Sequence, residues 1–387
     1  MTPWGAPGES LPAGPRVDPH RPYDVVAVGA SLANLFLLLR LSEHGCRTAL
    51  LAPPIAPQSC CDLGVTWPGL TEHWGILYPN LGRQVEAMMR LFQESNALLG
   101  AHGAVKGGAV LQCASNPTEF QELAAELSWL NRLWPRRLMG AAPATNYFPL
   151  LKSEGAAFVP DCISLNPRQY REQLLGILAA RGCAMVEMTL PFSLRESAGV
   201  TVEWGSGCAL RSELAVVGAS LASLELLGSP RPWLVPMSGT GFRFSRPQEP
   251  WNQSLVAVET QRGHLMLAPH PDGSWLALAL APAGGESDAG YLGWFVRELD
   301  EGFGLRNPDQ SWSLRFCSTV DGLPLMGPLP GAQRTWLCAG LGSRSWSWGP
   351  ALGSEMARVL LGEGSELLSE LPALRPSRWL GRTGDRG

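Results

Sequence analysis

Tyr23-Asp-Val-Val-Ala-Val-Gly29-Ala-Ser31-Leu-Ala-Asn34 is the stretch whose reading decides the fold. Residues 24–28 form the apolar run expected of a strand buried on both faces. Gly29 turns the chain, helical periodicity follows over Leu32–His44, and Gly45 stops it. Arg47–Leu51 reads as the next strand. Strand, glycine turn, helix and strand within roughly thirty residues make a βαβ unit of mononucleotide-binding size. Far along the chain stands Arg315-Phe-Cys-Ser-Thr-Val-Asp321-Gly-Leu-Pro324-Leu-Met-Gly327-Pro, then Gly340-Leu-Gly342-Ser343-Arg344 and Gly349-Pro350. This reads as a strand, a tight turn, a second strand ending in a glycine-rich loop, and a helix from about Pro350. Small residues leading into a helix N-terminus suit a phosphate or a negatively charged ring.

The intervening chain supplies the rest of the architecture. Residues 53–82 are rich in Pro and Gly, and a long loop in a compact protein is usually functional. Amphipathic helices are expected over Gln84–Leu99 and Glu119–Leu133, and a third over Pro167–Arg181, capped by Asn166. Short strands follow at Ala184–Met188, Val200–Trp204 and Glu213–Val217. Gly218-Ala-Ser repeats the triplet at Gly29, but no helix and strand follow it at βαβ spacing, so it reads as a strand-end turn. Residues 231–316 alternate apolar and polar residues, with an Asp272-Gly273 turn joining two strands.

Composition bounds the possibilities. The 387 residues are 45% hydrophobic and 17% charged, enough apolar material for a sizeable core. A net charge of −4 with no long basic run gives no bulk electrostatic footprint for nucleic acid. Nine cysteines, without a metal-type pair, read as reduced thiols of a cytoplasmic protein. The apolar run Leu35–Leu39 is broken by Arg40, so no membrane span is expected. Residues 1–22 read as a disordered leader and 371–387 as a loose tail.

With these residues in hand, the chain resembles the FAD-dependent oxidases of the D-amino-acid oxidase and glycine oxidase type. In pattern it is most similar to the flavin domain of the bifunctional tRNA wobble-uridine modification enzyme. The resemblance is carried by Tyr23–Leu51, by Trp74-Gly75-Ile-Leu-Tyr78-Pro79, and by Cys317–Pro328 with Gly340–Glu355. It implies an α/β plus antiparallel β fold: a Rossmann-like FAD-binding domain with an inserted β-rich substrate domain. The expected boundaries are 23–82, 155–228 and 317–370 for the FAD domain, and 83–154 and 229–316 for the substrate domain. It also implies FAD as cofactor, a small amine or amino acid as substrate, and oxygen or a quinone as electron acceptor.

The fingerprint departs from G-x-G-x-x-G. Ser31 stands where bare backbone approaches the pyrophosphate, and Asn34 where helix and strand pack closely. The acid that grips the adenosine ribose is missing from Leu50-Leu51-Ala52-Pro53. Losing such a charge-assisted bond costs about 1.5–3 kcal/mol.

The resemblance points to Gly29, Ala30, Ser31, Asn34, Gly75, Gly218, Gly340, Gly342, Ser343 and Arg344 as cofactor contacts. Gly340, Gly342 and Ser343 would offer backbone donors to the flavin pyrimidine edge; a plain strand-to-helix turn is the alternative. Arg344 would lie near the ring or a substrate carboxylate, or else in solvent. Arg315 is a carboxylate clamp one residue out of phase, since the position before Cys317 is Phe316; a bulge would be needed to restore it. Cys317 matches a site of covalent flavin attachment in some relatives, although a small buried thiol is the simpler reading. His264 would orient an amine or act as a base, and His73 and Trp74 would shape the site. Asp321 and Pro324 fix a turn. The expected function is oxidation of a C–N bond by hydride transfer to FAD, followed by imine hydrolysis. Two alternatives are a catalytically degenerate flavin-fold scaffold and a tRNA-modifying flavoenzyme.

Overall fold

The computed structural model describes residues 11–12, 15, 21–53, 63–68, 82–103, 105–130, 137–148, 151–189, 191–218, 234–245, 250–260, 265–270, 272–281, 289–319 and 321–378. Two eight-stranded sheets organise it. The first is built on β1 (Tyr23–Val28), α1 (Leu32–Glu43) and β2 (Thr48–Ala52), as the opening stretch predicts. β1 is buried except at Asp24, whose carboxylate accepts the Arg47 N–H (2.7 Å) and ties the two strand starts together. Ser31 Oγ caps α1 by accepting the Asn34 N–H at 3.3 Å, leaving the helix N-terminus aimed at the strand ends.

β6 (Ala184–Glu187) joins β2 in parallel, and β9 (Cys208–Val217) joins β1 on the other side. β16 (Thr335–Ala339) follows β9 in parallel, and β15 (Leu325–Pro328) closes that edge antiparallel. The hairpin β7 (Phe192–Glu196) and β8 (Val200–Trp204) pairs with the first half of β9. The repeated triplet starts at a strand end: Gly218 lies one residue beyond β9 and donates its N–H to Val28 O (2.9 Å), while Ala219 and Ser220 lie outside the described residues.

The second sheet runs β14-β10-β13-β12-β11-β3-β5-β4. Its strands are β3 (Lys106–Ala114), β4 (Arg137–Gly140), β5 (Gly155–Ser164), β10 (Leu234–Phe244), β11 (Leu255–Thr260), β12 (Leu265–Pro269), β13 (Trp275–Ala281) and β14 (Gln310–Thr319). All its pairings are antiparallel except β11 with β3. Gly273, at φ +84°, makes the expected turn between β12 and β13.

Helices fill the faces. They are α2 (Gly82–Ala101), α3 (Pro117–Leu130), α4 (Ala141–Thr145), α5 (Pro167–Ala180), α6 (Ala289–Phe303), α7 (Ser345–Leu360) and α8 (Glu366–Glu370). Asn166 caps α5 by accepting the Gln169 N–H (3.2 Å), as its position before Pro167 predicts. Among the described residues no helix is long and apolar enough to cross a membrane.

Five expectations change. The helix placed near Pro350 begins at Ser345, continuous with a 3-10 turn over Gly342–Arg344. Pro350 therefore sits inside α7; it has no N–H to give to Trp346, and the Ala351 N–H reaches Ser95 Oγ on α2 (3.2 Å). The stretch 231–316, read as β-rich with no helix assigned, contains α6, whose Phe295, Leu299 and Phe303 recur at intervals of four and are all buried. α2 falls within the span assigned to the substrate domain, yet it packs on α7, with Val85, Met88 and Phe92 sharing a core with α1 and α7 residues. β5 falls within the span assigned to the FAD domain, yet it pairs with β3 and β4. Of the stretch read as a loose tail, the described residues 371–378 are docked: Ala373 and Leu374 are buried, and the guanidinium of Arg378 pairs with Asp321 at 3.0 Å.

Candidate functional site

The first glycine turn is rebuilt rather than lost. Gly29 adopts φ +96°, a region that favours glycine, and its N–H goes to Leu51 O (2.7 Å). Asn34 is fully buried, and its amide nitrogen donates to Val28 O (3.0 Å) and Gly29 O (2.8 Å), clamping the helix to the end of β1. Room for that side chain comes from across the sheet. A Cβ at Gly218 would lie 2.8 Å from Ser31 Oγ and 2.9 Å from the Asn34 amide atoms. The small residue that the fingerprint expects at position 34 is thus supplied at position 218. Gly218 supports the turn from behind, by packing, while Ala30 and Ser31 keep partial exposure at the strand end.

This reciprocity is testable. Asn34→Ala removes two amide hydrogen bonds and should cost about 2 kcal/mol. Gly218→Ala alone should also destabilise, because the added methyl meets the Asn34 amide. Combining Gly218→Ala with Asn34→Gly should recover much of the second loss in a denaturation series; strict additivity would contradict the shared space.

The second glycine loop lies beside the first through a close helix crossing. A Cβ at Gly349 would sit 3.3 Å from Leu32 Cβ and 3.4 Å from Ala33 N. A Cβ at Gly353 would overlap Ala33 O and come within 2.9 Å of Leu37 N. The first turn of α1 therefore packs against the second and third turns of α7 with both helices running from the same end, so their N-terminal partial positive charges lie on one side of the crossing. Gly340 (φ +74°) and Gly342 (φ +55°) shape the approach to α7, with Gly342 held beside Ser318 and the ring edge of Phe316.

Ser343, Arg344 and Ser347 form the polar end of a cleft whose other walls are apolar. Leu63, Val65 and Trp67 line it from the segment that bridges to β5; Met266, Leu278 and Leu280 line it from β12 and β13. The Trp67 N–H donates to Ser347 Oγ (2.9 Å), which fixes one wall to the other. The indole nitrogen of Trp67 is buried with no hydrogen-bond partner among the described residues. The Arg344 guanidinium stacks over the buried Trp348 ring at 5.0 Å, so its orientation is set by packing.

These features fit FAD. A flat, largely apolar ring matches the walls, helix N-termini at one end of the crossing suit the pyrophosphate, and Ser343 with the glycine loop would supply donors where a reduced ring carries charge.

Not every expected residue joins this arrangement. Gly75, His73, Trp74 and His264 lie outside the described residues. For Arg315, the strand that carries it is regular: Ser238 pairs with Arg315 and Met237 with Phe316, with no bulge to restore the phase. Cys317 belongs to a core with Leu234, Leu325, Leu337 and Ala339, whereas Phe316 packs with the cleft-side core. It is placed as a core thiol, so flavin should stay in the supernatant after acid precipitation. Asp321 anchors the turn as expected, accepting the Leu323 N–H (3.1 Å), and also holds Arg378. The cleft residues Trp67, Ser347, Met266, Leu278 and Leu280 escaped sequence reasoning because they are ordinary core types gathered from four separate segments.

The fold is that of several solved oxidoreductases. Glycine oxidase from Geobacillus kaustophilus superposes with a TM-score of 0.75 at 18% identity, covering 89% of this chain and 96% of that one. L-proline dehydrogenase from P. horikoshii gives 0.77 at 14% identity, covering 95% and 100%. Iminodiacetate oxidase from Chelativorans sp. BNC1 gives 0.71 at 19%, covering 88% and 96%. No curated protein matches the sequence. The model of the FAD dependent oxidoreductase family matches residues 24–359, which takes in both glycine loops, the crossing helices and the cleft between the sheets, and the chain belongs to that family.

Proposed function

We propose that this flavoenzyme oxidises the C–N bond of a small amine or amino acid. The observation that carries the reading is the cleft: one end is Ser343, Arg344 and Ser347 at the start of α7, and the rest is apolar wall from the second sheet. FAD bound there would accept a hydride from the carbon bearing the nitrogen, and water would hydrolyse the resulting imine. The apolar residues Leu278, Leu280 and Met266 would exclude water and favour the neutral amine, the form that can give up a hydride without a dedicated base. Among the described residues that line the cleft Arg344 is the cation, and it is the group we assign to a substrate carboxylate.

The test is anaerobic mixing of the FAD-loaded protein with a panel of amino acids and amines, watching the visible flavin absorbance. Bleaching by members of the panel is expected; none bleaching the flavin would defeat the reading. Arg344→Met should lower kcat/KM for a carboxylate-bearing substrate by about 10- to 100-fold while sparing an uncharged amine, the yield of one charged hydrogen-bonded contact. Equal losses for both would remove Arg344 from carboxylate binding. Salt-dependent retention on tRNA would extend the substrate range to amines carried on nucleic acid. The rival reading is a flavin-fold scaffold without catalysis; it is favoured by Ala52 standing where an acid should be, and a protein that takes up no FAD would select it.

A further inference from the structure

We infer that Glu187 makes the adenosine-ribose contact that position 52 has lost. The inference rests on FAD being bound by this chain. Open α/β sheets bind ligands outside the carboxyl ends of their parallel strands, where a carboxylate at the end of the second strand grips the ribose hydroxyls. Here that strand, β2, ends at Ala52. Its parallel neighbour β6 ends at Glu187, and the two residues are register partners, Ala52 with Glu187. Adjacent strands lie about 4.8 Å apart, a distance a glutamate side chain spans. The carboxylate has therefore moved sideways by one strand at the same height.

A second observation shows what Glu187 accepts. Its Oε1 takes the backbone N–H of Leu11 at 2.9 Å, a contact across 176 positions of sequence. Leu11 is half-buried against the core beneath this sheet edge, which Ala30 and Met185 also join. An N–H donor thus already occupies one oxygen of this carboxylate at the carboxyl end of the sheet. A ribose diol presents the same chemistry, two hydroxyl donors to one carboxylate. Leu11 and the ribose then compete for Glu187.

The experiment compares FAD with FMN, which lacks the adenosine half, by titrating the full-length protein and following quenching of flavin fluorescence. Glu187→Gln should weaken FAD binding by about 10- to 100-fold, as for one charge-assisted hydrogen-bonded contact, and leave FMN binding unchanged. Leu11→Pro, which removes the competing N–H, should tighten FAD and not FMN. The thermal midpoint of Glu187→Gln should match the wild type, because Glu187 is exposed. Unchanged FAD affinity in Glu187→Gln, or equal losses for FAD and FMN, would overturn the assignment while leaving the flavoenzyme reading intact. A wild-type protein that binds neither flavin would overturn both.

Discussion

Gly353→Val should cost about 3 kcal/mol of stability and impair flavin uptake together. α7 crosses α1 at a point where residue 353 has no room for a side chain: even a Cβ would overlap Ala33 O and reach 2.9 Å from Leu37 N. Both neighbours are backbone of another helix, so no rotamer change relieves them. The helices must separate, and overpacking of this kind costs about 1–3 kcal/mol before cavities opened elsewhere are counted. The separation also moves the first turn of α7 and the 3-10 turn before it, whose Ser347, Ser343 and Arg344 edge the cleft. A control isolates the crossing. Gly176 lies within α5 and a Cβ there meets nothing within 4 Å, so Gly176→Ala should gain up to about 1 kcal/mol from helix propensity. Denaturant titration of both variants checks the pair; a neutral Gly353→Val would mean that the helices do not cross as described.

The second large effect lies at the docked tail. Arg378→Met should cost about 3–5 kcal/mol, because it leaves the Asp321 carboxylate buried without its cation. The pair is nearly dry, with side chains 8% and 2% exposed, and Arg378 also donates to Leu323 O (2.8 Å) and Pro324 O (3.1 Å). The Asp321–Pro324 turn feeds β15 and through it the edge of the first sheet. Replacing both partners, as Asp321→Asn with Arg378→Met, should be milder than the single loss, since no unpaired charge is then buried. Equal losses would show that packing of the tail, rather than the charge, carries the stability.

How far the sequence foretold this structure depends on how local each signal is. β1, α1 and β2 were legible because an apolar strand run, a glycine turn and helical periodicity all act within a few residues. The same holds for Asn166 ahead of Pro167 and for the Asp272-Gly273 turn. Asn34 looked like damage because its compensation, Gly218, stands far away in sequence and meets it only when β9 pairs with β1. α6 was missed although Phe295, Leu299 and Phe303 carry a helical period, because the surrounding stretch alternates like strands. β5 and residues 371–378 were misassigned for another reason: sheet membership and docking are decided by partners that no local pattern names. At the site, the glycine loops could be read from the residues and Arg344 from the family resemblance, whereas the apolar walls could not.

The central claim is that the two glycine loops and the cleft between the sheets hold FAD. The visible absorbance spectrum of the purified protein, taken before and after incubation with FAD and removal of the excess, tests it most directly. We expect a bound-flavin spectrum that survives removal of free cofactor. A protein that stays colourless after that treatment would contradict the account.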